Sequence, residues 1–270
     1  MNILGIGDNT IDIYIDKGIC FPGGNAVNVS VMTKRLGAES SYIGCIGNDK
    51  AGDLIKNSLL KEQVDVTFLK TINGENPWSV VKHINNDRVF HSSSPGVRGK
   101  YNINKNEIEF ISKHRIAHTS IYSDLENYFE IIRKNINLIS FDFSDKFDKY
   151  DIEFYCKYMD IVFLSGSKIS NDNIKLLLER IYDYGVKAVI MTLGVNGSIC
   201  LYNDEYHHQS IIDCKVIDTL GAGDGFISGF LVSYLNNEDI NVCLNNSAIY
   251  AKEVCGYMGA YGYKNNFPLK

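Results

Sequence analysis

Residues 218–226 read Asp-Thr-Leu-Gly-Ala-Gly-Asp-Gly-Phe, and an apolar run that ends near Leu235 follows them. The glycines predict a tight turn, and the apolar run predicts a helix that begins directly after it. Asp224 falls in the first turn of that helix, where the helix dipole favours an ionised carboxylate. The sequence therefore predicts a charged carboxylate beside the positive end of an apolar helix.

The backbone of this turn is suited to bind an anion. Gly221 and Gly223 let the backbone approach a ligand closely and adopt positive φ angles. Their N–H groups, with that of Ala222, would face outward at a helix end that carries about half a positive charge. A carboxylate beside such donors can accept a hydroxyl proton while the donors stabilise a transferring phosphoryl group. The alternative is a glycine-rich turn in which Asp224 only caps the helix.

Upstream of this turn, short apolar runs of strand length alternate with segments of helical period. The predicted strands are 3–6, 41–45, 116–119, 138–143, 160–164 and 187–192. The predicted helices are 25–36, 51–60, 124–135, 151–158 and 171–184. Alternation of this kind predicts an α/β fold with a central, mainly parallel sheet and helices on both of its faces.

Two segments, at about 12–20 and 67–91, break the alternation. In the second, two strand-like runs flank Asn85-Asn86-Asp87, which is typical of a hairpin turn. We predict that these segments form a small β-sheet lid over a site, within a single domain of 270 residues. The alternative is a surface hairpin without a role.

Composition narrows the class of protein. Hydrophobic residues make up 45% and charged residues 22% of the chain, which is ordinary for a globular protein and excludes a disordered or fibrous one. No stretch approaches the roughly 20 apolar residues of a membrane helix. The formal net charge of −5 makes a nucleic-acid partner improbable, because such binders are usually basic.

The cysteines and the N-terminus both predict a cytoplasmic protein. The seven cysteines include no Cys-x-x-Cys pair, so they are interpreted as reduced, buried thiols. The N-terminus has no basic segment before an apolar run, so no secretory signal is expected.

Two further clusters suit a ligand that carries hydroxyl groups. Gly23-Gly24-Asn25-Ala26-Val27-Asn28 places paired glycines before a helix, with two amides that can donate to and accept from hydroxyls. Asp8 and Asp12 follow the first strand, at the sheet edge where ligands usually bind. For the cluster of glycines and amides, the alternative is a tight turn with an Asn cap. For Asp8, the alternative is an ordinary turn residue.

Other familiar site patterns are incomplete. Gly5 and Gly7 begin a dinucleotide fingerprint, but its third glycine would fall at Thr10. The chain contains no Gly-x-x-x-x-Gly-Lys-Ser/Thr segment, so a P-loop enzyme is excluded.

Taken together, these motifs resemble the PfkB, or ribokinase-like, family of carbohydrate kinases. The N-terminal signature of that family is similar to residues 23–37, and its C-terminal signature is similar to residues 218–224. Residues 44–52 and 192–197 also stand where the family has glycine motifs. The resemblance implies a ribokinase-like three-layer α/β/α fold with a small lid sheet.

The resemblance also implies an activity and roles for individual residues. The reaction is transfer of the γ-phosphoryl group of ATP, accompanied by Mg²⁺, to a primary hydroxyl of a sugar or sugar-amine. The implied catalytic residues are the base Asp224 and the anion-hole residues Gly221, Ala222 and Gly223. The implied sugar-binding residues are Asp8, Asp12, Gly24, Asn25 and Asn28. The implied nucleotide-binding residues are Thr192, Gly194, Gly197, Gly221 and Gly223. A monovalent cation is implied near Asp218 and Leu220.

Within the family, the chain is most similar to the fructoselysine 6-kinases. The segments that suggest this are 6–14, 86–90 and 141–146. The expected reaction is therefore conversion of fructoselysine to fructoselysine 6-phosphate. The alternatives are a fructokinase or another sugar or nucleoside kinase of the same family.

One departure from the family pattern motivates a third alternative. Many members carry Asn-x-x-Glu where this chain has Ser165-Gly166-Ser167-Lys168, which has no acidic residue. The protein ligands of Mg²⁺ are therefore unassigned, and a non-catalytic sugar-binding protein is the remaining alternative. The family resemblance also implies a homodimer formed through the lid.

Overall fold

The apolar runs form strands in a computed structural model, which describes residues 1–84, 87–166, 169 and 171–269. The strands are β1 (Asn2–Gly7), β2 (Thr10–Tyr14), β3 (Ile19–Gly23), β4 (Glu39–Gly47), β5 (Leu69–Ile72), β6 (Trp78–Ile84), β7 (Asp87–Ser94), β8 (Ile116–Ser120), β9 (Leu138–Asp142), β10 (Ile161–Ser165), β11 (Ala188–Thr192), β12 (Ser198–Tyr202), β13 (Glu205–Gln209) and β14 (Asn265–Asn266). The helices are α1 (Asn25–Arg35), α2 (Lys50–Lys61), α3 (Lys105–Ile111), α4 (Phe129–Asn135), α5 (Ile152–Cys156), α6 (Asn171–Tyr182), α7 (Ala222–Leu235) and α8 (Ile240–Val254).

The large sheet has nine strands in the order β13-β12-β11-β10-β9-β8-β1-β4-β5. The strands from β11 to β5 pair in parallel, and β12 and β13 add an antiparallel edge. The predicted mainly parallel sheet is confirmed. The β12–β13 hairpin was not predicted, although Asn203 and Asp204 between its strands both have positive φ angles, as a two-residue hairpin turn requires.

Alternating side chains of the parallel strands pack on opposite faces of the large sheet. Ile3 and Ile161 pack with α1, α7 and α8, whereas Leu4 and Val162 pack with the helices α3 to α6. All four side chains are fully buried. Strands of a parallel sheet that helices cover on both faces are apolar throughout, without alternating polar residues. The three-layer α/β/α prediction is confirmed. No helix in the described part of the chain combines the length and the apolar character needed to cross a bilayer.

A second sheet of five strands has the order β14-β3-β2-β6-β7. It contains most of the predicted lid, because β2, β3, β6 and β7 fall within or beside the predicted ranges. One part of the prediction differs: β5, within 67–91, pairs in parallel with β4 in the large sheet. Asn85 and Asn86 lie outside the described residues. The assignment of all 270 residues to one domain stays a prediction.

The turn between β3 and α1 brings two loops into close contact. Gly24 precedes α1 with a φ of 108°, and a Cβ atom there would lie 2.5 Å from Asn9 Cα. Gly37, just after α1, also has a positive φ, of 88°, but a Cβ atom there would meet nothing within 4 Å. Glycine is therefore needed at position 24 both for the positive φ angle and for the close approach of Asn9. At position 37 it is needed only for the positive φ angle.

We expect Gly24→Ala to destabilise the protein more than Gly37→Ala. The Gly37 variant should lose about 1 kcal/mol through backbone strain. The Gly24 variant should lose a further ~1–3 kcal/mol, because the Asn9 backbone must move. Urea unfolding of both variants measures the difference, and equal losses would contradict the close approach at Gly24.

Candidate active site

A cavity of about 1140 Å³ opens where the carboxyl ends of the parallel strands face the second sheet and the start of α7. It is large enough for more than one small ligand, since typical ligand pockets occupy about 300–1,000 Å³. The predicted site residues that line it are Asp8, Asp12, Gly24, Asn25, Asn28, Thr192, Gly194, Gly197, Leu220, Gly221, Ala222, Gly223 and Asp224. Asp218 does not line it.

Asp224 lies in the first turn of α7, and two amides of α1 hold its carboxylate. Asn25 Nδ2 donates to Asp224 Oδ1 at 2.8 Å, and Asn28 Nδ2 donates to Asp224 Oδ2 at 2.6 Å. Hydrogen bonds donated to a carboxylate favour its ionised form. The amides that were predicted to bind hydroxyls therefore also orient the predicted base.

In the turn before α7, the predicted positive φ angle is confirmed at Gly221 but is wrong at Gly223, which lies inside α7 without one. Gly221 caps the helix with a φ of 79°, and a Cβ atom there would lie 2.6 Å from Ala260 Cβ. A Cβ atom at Gly223 would meet nothing within 4 Å, so this backbone is open to a ligand. The N–H of Ala222 donates to the Thr219 carbonyl oxygen at 3.2 Å. A phosphate would have to replace that bond to be bound by all three N–H groups.

Asp8 holds the turn before α1 through several hydrogen bonds. Its Oδ2 accepts from the Asn25 backbone N–H at 2.7 Å. Its Oδ1 accepts from the hydroxyls of Ser120 and Ser123 at 2.9 and 3.0 Å. The side chain is 5% exposed. The structure thus gives Asp8 the turn-forming role that was its alternative interpretation, and a direct sugar contact stays a prediction.

Asp12 and Asn28 offer acceptor atoms to a ligand. Asp12 is buried on β2 at the cavity wall, and Gly23 leaves room for it, since a Cβ atom there would lie 2.3 Å from Asp12 Oδ2. Asn28 Oδ1 is buried and has no hydrogen-bond partner among the described residues. A buried acceptor without a partner is costly unless a ligand or water donates to it.

Another group of lining residues lies at the end of β11 and in the turn that follows it. Thr192 ends β11 and donates its hydroxyl to the Leu164 carbonyl oxygen at 3.3 Å. Gly194 and Gly197 flank a short turn with positive φ angles. Val195, within this turn, and Val216 both line the cavity with exposed side chains. Such surfaces suit a flat heterocyclic base, and sequence reasoning had not selected either valine.

Asp142 is a further carboxylate at the cavity, and the sequence analysis did not select it. It ends β9, and its Oδ2 accepts from Asn25 Nδ2 at 3.0 Å. Burial, followed by the negative charges of Asp224 and Asp8, raises the pKa of Asp142 to about 7. Its position at the carboxyl end of a parallel strand, the reason for selecting Asp8, was the available signal.

The Asp218 side chain, near which a monovalent cation is predicted, accepts hydrogen bonds from within the protein. Asp218 Oδ1 accepts from the Leu220 backbone N–H at 3.0 Å, and Oδ2 accepts from the Gly259 N–H and the Tyr14 hydroxyl. A monovalent cation there stays a prediction. In the described part of the chain, no group of three or more His, Cys, Asp or Glu residues is arranged to hold a metal. Ser167 and Lys168 lie outside that part.

Comparison with known proteins identifies the family of this chain. Residues 11–265 match the pfkB family of carbohydrate kinases. The chain therefore belongs to that family and is an ATP-dependent carbohydrate kinase. The predicted family and enzyme class are confirmed.

Two curated relatives cover nearly the whole chain. It is 39% identical to fructosamine kinase FrlD of Bacillus subtilis, over 100% of this chain and 96% of that protein. It is 32% identical to fructoselysine 6-kinase of Escherichia coli, over 95% of this chain and 98% of that protein.

Ribokinase of Arabidopsis thaliana, solved with ribose and ATP, shares the fold. The TM-score is 0.84 at 19% identity, over 96% of this chain and 94% of that chain. The ribokinase-like fold is thereby confirmed.

We expect Asp142→Asn to change the pH dependence of stability. The Asp142 pKa is about 7 when folded, whereas an unfolded Asp titrates near 3.9, so ionisation of Asp142 destabilises the folded protein. That cost is absent at low pH and grows as pH rises from about 4 to about 7. The stability of the variant relative to wild type should therefore increase over that range and then level off.

Urea unfolding at several pH values measures this difference. Asp204→Asn is the matched control, because Asp204 is an exposed carboxylate in the β12–β13 turn. If the stability of the Asp142 variant relative to wild type changes with pH no more than that of the control, the raised pKa of Asp142 is contradicted.

Proposed function

We propose that this kinase transfers the γ-phosphoryl group of ATP to the primary hydroxyl of a fructosamine, with fructoselysine as substrate and fructoselysine 6-phosphate as product. The observation that carries the proposal is the Asp224 carboxylate, held by Asn25 and Asn28 at the start of α7. The names of the two relatives above support the fructosamine substrate.

Asp224 acts as the general base in this proposal. Its carboxylate accepts the proton of the primary hydroxyl as the hydroxyl oxygen attacks the γ-phosphorus. The new P–O bond forms while the bond between the γ-phosphorus and the β,γ-bridging oxygen breaks, and ADP leaves. The Asn25 and Asn28 amides donate to both oxygens of the carboxylate and fix its direction.

The N-terminus of α7 stabilises the phosphoryl group during transfer. Gly221, Ala222 and Gly223 supply backbone N–H groups at the positive end of a helix of 14 residues. Ala222 exchanges its bond to Thr219 for one to the phosphate. Because these donors are fixed by the fold, they require little rearrangement when negative charge develops.

Carboxylates favour a sugar-amine over a plain sugar. Asp12 and Asp142 both line the cavity, and Asp142 accepts from Asn25, one of the amides proposed to bind hydroxyls. A secondary amine is positively charged near neutral pH, and a cation beside Asp142 would offset the repulsion from Asp224 and Asp8 that raises its pKa. Fructose, which has no amine, would gain nothing from this charge.

The carboxylates of Asp142 and Asp224 at the cavity wall could serve a magnesium ion that arrives with ATP. Mg²⁺ usually keeps several waters and binds substrate phosphates with one or two carboxylates at most, so a dedicated cluster of acidic residues is unnecessary. When bound, Mg²⁺ neutralises charge on the β- and γ-phosphate oxygens.

A plain hexose acceptor is the alternative function. The chain is also 26% identical to a fructokinase of Escherichia coli, over 84% of this chain and 82% of that protein. A non-catalytic sugar-binding protein is disfavoured, since the predicted base and its two amides are intact. Dimerisation through the lid and a cytoplasmic location stay predictions.

A substrate screen tests the proposed acceptor. Release of ADP is measured with fructoselysine, fructose, ribose and adenosine under identical conditions. We expect kcat/KM for fructoselysine to exceed that for fructose by at least about tenfold, because only fructoselysine offers an amine to the carboxylates. A higher kcat/KM for fructose, ribose or adenosine would overturn the proposed substrate.

Replacement of the base tests the mechanism. We expect Asp224→Asn to lower kcat by about 10²–10⁴-fold, because the amide cannot accept the hydroxyl proton. Sugar affinity, measured by calorimetry, should change by less than about threefold. Asp213→Asn is the control, because Asp213 is an exposed carboxylate on the same cavity wall. Turnover of the Asp224 variant close to that of the control would exclude Asp224 as the base.

Replacement of Asp12 tests the sugar contact. We expect Asp12→Ala to raise the sugar KM by about tenfold or more, because a buried acceptor for hydroxyls is lost. The KM for ATP should change much less. An unchanged sugar KM would remove Asp12 from the binding site.

A further inference from the structure

A buried histidine lies directly behind the amide that holds the base. His118 is the central residue of β8, and none of its surface is exposed. Its Nε2 lies 2.8 Å from Asn25 Oδ1, and its Nδ1 lies 2.8 Å from the hydroxyl oxygen of Ser140 on β9. No step of the proposed mechanism uses this side chain, and the sequence analysis did not select it.

The direction of every hydrogen bond in this group follows from chemistry. Asn25 Nδ2 lies 2.8 Å from Asp224 Oδ1 and 3.0 Å from Asp142 Oδ2. An amide oxygen there would lie against the Asp224 carboxylate, whose other oxygen already accepts from Asn28, so the NH₂ group occupies that position. Asn25 Oδ1 then faces His118 and needs a donor, which only a protonated Nε2 supplies.

The imidazole must therefore be in one neutral form. Complete burial lowers the pKa of His118 to about 3, so the ring carries a single proton at neutral pH. That proton is on Nε2, and Nδ1 accepts from the Ser140 hydroxyl. The result is a chain of bonds from Ser140 through His118 and Asn25 to Asp224, all donated in the same direction.

We propose that His118, supported by Ser140, is a positioning residue that locks the Asn25 amide with both of its N–H bonds directed at Asp142 and Asp224. The inference rests on the proposed role of Asp224 as base. Without the His118 donor, the buried oxygen of Asn25 has no partner. The amide can then rotate and turn its oxygen toward Asp224, which would repel the ionised carboxylate and misdirect it.

Two substitutions at His118 distinguish the effect of losing the N–H donor from the effect of losing the volume of the ring. His118→Phe fills the space without a donor, whereas His118→Gln can place an amide N–H near the position of Nε2. We expect the Phe variant to lose about 10–100-fold in kcat/KM, with the sugar KM changed by less than about threefold. The acid limb of its pH profile should move upward, because the two carboxylates that share the Asn25 amide, Asp142 and Asp224, lose an N–H donor. The Gln variant should recover most of the loss.

His114→Phe is the matched control. His114 is also a buried histidine, and its ring nitrogens lie 2.9 Å from the Phe110 carbonyl oxygen and 2.9 Å from the Ser41 hydroxyl, away from the cavity. Its replacement should lower stability but leave the acid limb unchanged. If the His118→Phe variant keeps the wild-type limb and kcat/KM, or if a folded Gln variant shows no recovery, the inference is wrong.

If the His118→Phe variant does not fold, a third variant tests the positioning role of His118. The His118→Asn side chain is too short to reach Asn25, so it should be impaired while the Gln variant is active. Equal activity of the two would overturn the inference. ¹⁵N NMR of the wild-type ring gives a test without turnover: the proton should be on Nε2 between about pH 5 and 8, and a proton on Nδ1 would overturn the inference.

The outcomes also separate this inference from the proposed function. If Asp224→Asn retains full turnover, the assignment of the base fails and the positioning role fails with it. If Asp224→Asn is inactive but His118→Phe behaves as wild type, only the positioning role fails.

Discussion

The hydrogen bonds that Asn25 and Asn28 donate to Asp224 connect the two helices on which the active site is built. Both amides come from the first turn of α1, and the carboxylate comes from the first turn of α7. Two helix N-termini therefore meet at one anion, which their dipoles favour. This contact bridges the cavity, because the segments proposed to bind sugar and phosphate belong to different helices.

Polar groups around this contact are buried or half-buried, which has a cost that an apolar core would avoid. Asp8 accepts from the α1 backbone and two serines, His118 is fully enclosed, and Asp142 has a raised pKa. Each is stabilised by hydrogen bonds that converge on the turn before α1 or on the Asn25 amide. Buried polar groups of this kind fix side-chain directions, which a base and a transferring phosphate require.

The sequence predicted the parallel strands and α7 well but missed three features of the sheets. The parallel strands are buried on both faces and appear as continuous apolar runs, whereas β13 is a partly exposed edge strand with a polar sequence. β14 has two residues and pairs with β3, more than 240 positions earlier, so no local pattern marks it. β5 was assigned to the lid because its sequence does not reveal which sheet edge it joins.

The sequence by itself determined the α/β class, the glycine turn before α7, and the residue types that surround one cavity. These are local properties: they depend on periodicity, on backbone freedom at glycine and on charge at a helix end. Only the tertiary structure decided that Asn25 and Asn28 hold Asp224, that Asp8 supports a turn, and that Asp142 and His118 share the Asn25 amide. Those contacts join α1, α7, β8 and β9, and the direction of a hydrogen bond is fixed only when both partners are in place.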